Sequence, residues 1–173
     1  WHYPEDYNFH PVGHERQFVG SAPSQVSHLC QQAWQEFAPE LEFKLVDDTA
    51  RNVITASDAV MLASGTVALE CMLIKRPMVV GYKVNAFTAF LARKMLKTKY
   101  VSLPNILADQ ELVKEFLQEE CTVDNLAAEV ERLLGEEGNQ MVDKFTEMHH
   151  WIRKDADKQA AKAVLHLIGK DYE

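Results

Sequence analysis

The chain has 173 residues, 47% of them hydrophobic, which is enough for one sizeable core and too few for two ordinary domains. A formal net charge of −8 argues against generic nucleic-acid binding, because such proteins concentrate positive charge to displace counterions from phosphates. The three cysteines are widely spaced in apolar patterns, and no apolar run approaches the roughly 18 residues of a membrane span, so we expect a reduced cytoplasmic domain, soluble or peripheral to a membrane.

The first predicted elements follow an opening segment without apolar periodicity. Residues 1–23 begin without an initiator methionine, and we expect them to be a ragged start or the remnant of a domain junction. Apolar residues at helical spacing predict a helix over 24–37, and a strand is predicted over 42–46. Asp48 can cap a further helix that ends near Ala56.

Strands and helices then alternate as far as Pro104. The predicted strands are 59–63, 78–82 and 100–103, and the predicted helices are one from Ser64 to just before Pro77 and one over 87–96. Parallel strands need a crossover connection, which a helix supplies, so this alternation predicts helices packed on a parallel sheet. The predicted fold class is α/β, with a doubly wound, Rossmann-like parallel sheet in a domain over residues 24–135.

Beyond the sheet, the sequence predicts only helices. Asp109 and Thr122 can cap two helices that reach about Gln118 and Gly135. From residue 145 onward the apolar residues follow a single stripe over more than five turns, which predicts one long closing helix within 136–173.

The first candidate site is the turn Ser64-Gly65-Thr66, where a buried strand leads into a helix. The N–H groups of a helix N-terminus and the positive end of its dipole favour a phosphate group. Gly65 lacks a Cβ and permits the close approach of an anion, while Ser64 and Thr66 add hydroxyl donors. The alternative is an ordinary helix cap, for which Ser and Thr are favoured in any protein.

Glu70 is a carboxylate in an otherwise apolar helix, one turn after Thr66. Its two oxygens can accept hydrogen bonds from two ribose hydroxyls, a pairing common in nucleotide-binding folds. The alternative is a solvated position or a partner for Lys75 or Arg76. Asn105 follows a predicted strand at the same edge and could contact a base or a sugar, although Asn after Pro is also a common turn residue.

A basic window covers residues 71–108, which contain seven Lys and Arg residues and no Asp or Glu. Its predicted helix, over about 87–97, could contact an anionic lipid or a diphosphate. The alternative is a helix that packs its apolar face on the sheet and leaves its cations in water. The histidines lack the Cys or acidic spacing that specifies zinc, so no metal is predicted.

Four ordered motifs resemble the donor-binding half of the lipid-A-disaccharide synthase family. They are the run Ala56 to Met72, Pro77 to Tyr82, Tyr100 to Asn105 and Glu115 to Glu120. The resemblance covers about residues 40–167, and four motifs in the right order and spacing are far more specific than a lone glycine pattern.

This resemblance implies a glycosyltransferase of the two-domain GT-B type, with this chain as its carboxyl-terminal domain. Such an enzyme transfers 2,3-diacylglucosamine from UDP to 2,3-diacylglucosamine 1-phosphate and releases UDP during lipid A assembly. Neither a metal ion nor another cofactor is implied. Ser64, Gly65 and Thr66 would hold the diphosphate and Glu70 the ribose, while Asn105 and Gln118 would line the donor pocket.

The resemblance also implies partners and surroundings. The catalytic Asp and the acceptor site for the lipid-linked sugar phosphate belong to an amino-terminal half, onto which the closing helix would cross. We expect this chain to be truncated and inactive alone. We expect the complete enzyme to attach peripherally to the inner face of the cytoplasmic membrane, and a homodimer is possible. The alternatives are another UDP-sugar enzyme, such as an epimerase or an N-acetylglucosaminyltransferase, or a non-catalytic oligomerisation module.

Overall fold

The fold is known from a computed structural model that describes residues 18–21, 24–40, 43–46, 50–63, 65–85 and 99–169. Along these residues strands and helices alternate before a helical ending. The elements are β1 (Phe18–Ser21), α1 (Ser24–Phe37), β2 (Phe43–Val46), α2 (Ala50–Ala56), β3 (Val60–Leu62), α3 (Gly65–Ile74), β4 (Met78–Tyr82), α4 (Leu103–Ala108), β5 (Lys114–Leu117), a 3-10 helix (Gln118–Glu120), α5 (Val123–Leu133), α6 (Glu136–Ile152) and α7 (Ala156–Leu167).

The described strands pair in parallel, as the alternation predicts. Hydrogen bonds join β1 to β2 and, separately, β3 to β4 to β5, with β4 in the centre of the three. Met78, Val79 and Val80 of β4 are buried, which is typical of a parallel strand covered on both faces. The prediction of an α/β protein with a parallel sheet is confirmed.

The core lies where α3, α5 and α6 meet this central strand. Cys71 and Met72 of α3 and Phe145 of α6 are fully buried in it. Gly81 of β4 leaves room for α5, because a Cβ at this position would come within 3.1 Å of Cδ2 of Leu126 and 3.3 Å of Sγ of Cys121. The small residue therefore sets how closely α5 packs on the sheet.

Helix α3 ends before Pro77, as predicted. Lys75 adopts a left-handed conformation with φ of 61°, and the N–H of Arg76 donates to the carbonyl of Cys71 at 3.1 Å. This pairing satisfies a carbonyl that the end of the helix would otherwise leave unpaired. The guanidinium of Arg76 then donates to the carbonyl of Thr55 at 2.7 Å and connects the turn to α2.

The strand predicted over 100–103 is wrong, because Leu103 begins α4. Pro104 lies in the first turn of this helix, where its missing N–H costs nothing and its fixed φ is already helical. The N–H groups of Val101 and Ser102 donate to the carboxylate of Glu115 rather than to a neighbouring strand.

The helix predicted from Asp109 to Gln118 is also wrong. Asp109 ends α4 in a left-handed conformation, with φ of 49°, and residues 114–117 form β5, which pairs with β4. The fully buried Val113 enters the sheet just before β5. Tertiary pairing with β4 therefore overrides the local helical pattern.

The closing helix is divided into two. α6 ends at Ile152, and α7 begins at Ala156 after Asp155, whose φ of 47° interrupts the helical path. Thr122 caps α5 as predicted, since its hydroxyl accepts from the N–H of Asn125 at 3.2 Å. The predictions for residues 1–17, Asp48, Ser64 and the helix over 87–96 lie outside the described residues.

Candidate functional site

The N-terminus of α3 follows the carboxyl end of β3, at the edge of the sheet where parallel α/β folds bind ligands. Gly65 begins the helix and is half-buried, while Thr66 is exposed. A Cβ on Gly65 would lie 3.1 Å from the carbonyl oxygen of Val101, a tight contact that favours glycine at this position. The first turn contains no acidic residue that would repel an anion.

Glu70 shares the exposed side of α3 with Thr66. The two residues are four positions apart, which places them on one face of a helix, and both are exposed. Ala68, Cys71 and Met72 turn to the core instead. The structure therefore places Thr66 and Glu70 on one exposed face of α3.

Asn105 is fully buried, and its side chain takes part in four hydrogen bonds. Its Oδ1 accepts from the N–H groups of Leu112 and Val113 at 2.8 and 2.9 Å. Its Nδ2 donates to the carbonyl of Val113 and to Oε1 of Glu115, both at 2.8 Å. An amide offers two donors and two acceptor positions, so these bonds leave no capacity for a direct contact with a nucleotide.

Gln118 makes a reciprocal pair of bonds with the backbone beyond β4. Its Oε1 accepts from the N–H of Val84 at 2.7 Å, and its Nε2 donates to the carbonyl of the same residue at 2.9 Å. Its backbone has a φ of 54°, a strained value for a residue with a side chain. In this arrangement the side chain fixes the segment that leaves β4.

The carboxylate of Glu115 collects the polar groups of the turn before α4. Its Oε2 accepts from the N–H of Val101 at 2.9 Å. Its Oε1 accepts from the N–H and the hydroxyl of Ser102 and from Nδ2 of Asn105, at 2.8, 2.6 and 2.8 Å. Sequence reasoning gave Glu115 no role. A carboxylate within a predicted strand would have been the signal, but these residues were predicted to be helical.

Two lysines add positive charge near this edge of the sheet. Lys83 follows β4 directly and is exposed, and the ammonium of Lys99 lies 5.2 Å from the ring centroid of Tyr100.

The thiol of Cys71 is buried in the core, and this burial raises its pKa to about 12. A thiol of this kind is protonated at neutral pH and is not a nucleophile.

Two possible features are not found in the described part of the chain. No helix there is long and apolar enough to cross a membrane. Within those same residues, no group of three or more His, Cys, Asp or Glu side chains could hold a metal ion.

A parallel three-stranded sheet with helices packed against it defines the chain as an α/β protein, consistent with a Rossmann-like fold. Comparison with known proteins identifies the family. The chain matches the lipid-A-disaccharide synthetase family over residues 13–164 and belongs to it.

Curated relatives agree with this assignment. The lipid-A-disaccharide synthase of Vibrio vulnificus is 79% identical over 140 residues, which are 81% of this chain and 37% of that protein. The synthase of Vibrio cholerae is 77% identical over the same shares of the two chains. That of Aliivibrio fischeri is 63% identical over 80% of this chain and 36% of its own length. The chain thus spans a little over a third of the relatives it matches.

Proposed function

We propose that the chain is the UDP-sugar-binding half of a lipid-A-disaccharide synthase, a glycosyltransferase of lipid A biosynthesis. The complete enzyme would transfer 2,3-diacylglucosamine from its UDP conjugate to 2,3-diacylglucosamine 1-phosphate and release UDP. The observation that carries this proposal is the family match over residues 13–164, supported by 79% identity to a curated synthase. The comparisons do not favour the epimerase, the other transferase or the non-catalytic module.

In this proposal the N-terminus of α3 holds the diphosphate through Ser64, Gly65 and Thr66. The exposure of Thr66 and the lack of acidic residues in the first turn support this role. Negative charge grows on UDP as the sugar departs, and N–H donors already in position would stabilise that charge in the transition state.

Glu70 is proposed to bind the ribose. It lies one turn of about 5.4 Å along α3 from Thr66, on the same exposed face. Two ribose hydroxyls could then donate to its two carboxylate oxygens while the diphosphate occupies the helix end. Asn105 and Gln118 are proposed to act indirectly, by fixing the backbone that surrounds the donor.

The larger architecture is proposed to be the two-domain GT-B arrangement, with this chain as its doubly wound carboxyl-terminal domain. Helices α6 and α7 would pack on the amino-terminal domain, which would supply the catalytic Asp and the acceptor site. Large exposed apolar side chains support this, including Trp151 at 54%, Val164 at 59% and Leu167 at 84%. The same proposal has the complete enzyme attached peripherally to the inner face of the cytoplasmic membrane. It includes a homodimer as one possible arrangement of that enzyme.

A UDP titration followed by nuclear magnetic resonance tests the site. We expect the amide signals of Gly65 and Thr66 to shift with UDP and to stay in place with uridine, which lacks the diphosphate. UDP at 100 times its dissociation constant should also add about 2.7 kcal/mol to the free energy of unfolding. Both titrations are repeated on the longer protein. If neither sample shows a signal shift or a gain in stability with UDP, the proposal is contradicted and a non-catalytic module is favoured.

A second titration separates the proposed donor from a simpler one. The longer protein should bind the diacylated UDP-glucosamine more tightly than UDP-N-acetylglucosamine. Equal binding of the two would instead favour a different UDP-sugar enzyme.

A further inference from the structure

We propose that Glu115 is a positioning residue for the diphosphate site, acting through the Val101-Ser102 turn on the N-terminus of α3. This inference rests on the proposed function, because the anion bound at α3 is taken to be the diphosphate of UDP. Glu115 itself touches no ligand in this proposal. Its role is to set where the backbone beside Gly65 lies.

The first step is the set of bonds on the Glu115 carboxylate. Four donors from three residues converge on its two oxygens, at distances from 2.6 to 2.9 Å. Ser102 and Asn105, which supply three of the four donors, are both fully buried. A carboxylate only accepts hydrogen bonds and can satisfy all four donors, whereas an amide would turn a donor toward one of them.

The second step connects this turn to α3. Val101 donates its N–H to Glu115, and its own carbonyl oxygen would lie 3.1 Å from a Cβ on Gly65. The carbonyl of Val101 and the N–H of Ser102 belong to one planar peptide group, so the bond from that N–H to Glu115 at 2.8 Å restricts where the carbonyl can lie. The first turn of α3 therefore packs on a backbone segment whose position Glu115 determines.

The third step is the support beneath Glu115. It lies in β5 opposite Val80 of the buried central strand, in a parallel ladder that runs from Val79 to Tyr82. Asn105 adds a second connection, because its side chain bonds both Glu115 and the residues that enter β5. Position is thus transmitted from the sheet to Glu115, then to Val101, and finally to Gly65.

The test compares Glu115→Gln with two controls. Glu111→Gln makes the same chemical change at an exposed residue that pairs with Lys114 on the surface. Phe145→Leu weakens the core without touching the turn, which controls for lost stability alone. We expect Glu115→Gln to weaken UDP binding by the folded protein about tenfold, since a bond to a charged acceptor is lost at the turn. Both controls should bind UDP as the unmodified chain does.

A spectroscopic signature accompanies the change in affinity. Without ligand, the amide signals of Gly65 and Thr66 should move in Glu115→Gln and stay in place in both controls. A loss of stability with unchanged UDP affinity and unchanged signals at these two residues would overturn the positioning role and leave the proposed function intact. Absence of UDP binding by the unmodified chain and by the longer protein would instead overturn the proposed function, and this inference with it.

A milder variant covers the case in which Glu115→Gln does not fold. Ser102→Ala removes the hydroxyl bond at 2.6 Å and keeps both N–H bonds to the carboxylate. We expect it to weaken UDP binding roughly threefold, as suits one bond out of four. Unchanged affinity in this variant would overturn the inference.

Discussion

Replacing Asn105 by Ala distinguishes a structural residue from one that contacts the nucleotide. The substitution removes four hydrogen bonds at a fully buried position. It leaves the N–H groups of Leu112 and Val113 without this acceptor, in places that are 9% and 0% exposed. The chain would then enter β5 with unsatisfied backbone groups.

The expected cost follows from these groups. Each buried donor left unsatisfied costs about 1 to 3 kcal/mol, so the two N–H groups together with the lost bond to Glu115 suggest about 3 to 5 kcal/mol. Domains of this kind have a total free energy of unfolding of about 5 to 15 kcal/mol. The variant should therefore be far less stable and could be partly unfolded at 37 °C.

Urea unfolding measures the loss of stability, and UDP titration of the folded fraction measures the effect on the site. Asn125→Ala is the matched control, because Asn125 is exposed and its Nδ2 makes one bond, to the carbonyl of Glu120 at 2.8 Å. It should cost about 1 kcal/mol or less. If Asn105→Ala lost less than about 1 kcal/mol while UDP binding collapsed, the direct contact implied by the family resemblance would be right and the structural role wrong.

Three further predictions concern other parts of the chain. Glu70→Gln should weaken UDP binding about tenfold or more with an unchanged unfolding midpoint, and the opposite pattern would make Glu70 structural. Gly81→Val should lower the free energy of unfolding in urea by about 1 to 3 kcal/mol, because the new side chain would push against Leu126. Gly135→Ala should not cause such a loss, since a Cβ at Gly135 would lie 3.4 Å from its nearest neighbour, and equal losses in the two variants would refute the packing argument. Burial raises the pKa of the Cys71 thiol from 9.0 to about 12, so this thiol ionises at lower pH in the unfolded chain than in the folded one. The free energy of unfolding should therefore fall from pH 9 upward, by at most about 1.4 kcal/mol per pH unit. A Cys71→Ala variant with the same dependence on pH would contradict this.

The parts of the fold that the sequence predicted are those with strong local signals. The helix over 24–37 and the strand over 78–82 agree with α1 and β4, because their apolar residues recur at the period of the element or form one short run. The Thr122 cap depends on a contact only three residues away. Such features need no knowledge of distant contacts.

The errors occur where distant contacts decide the structure. Residues 114–117 pair with β4, more than thirty positions earlier in the chain, and local spacing holds no information about that partner. In the same way, Glu115 contacts Val101 and Ser102 across 14 and 13 positions. Gly65, Thr66 and Glu70 could be proposed as a site from sequence because all three lie within two turns of one helix, whereas the support for that site could not.

The paired bonds of Gln118 with Val84 and the bond of Glu115 with Val101 have a consequence for the part of the chain between them, residues 85–100. Both points of attachment flank residues 85–100, and both are held by side chains from β5 or the residue directly after it. Substitutions between these two attachments would therefore leave both ends of the segment held to β5 and the residue after it, so the sheet and the sequence between the attachments can change independently.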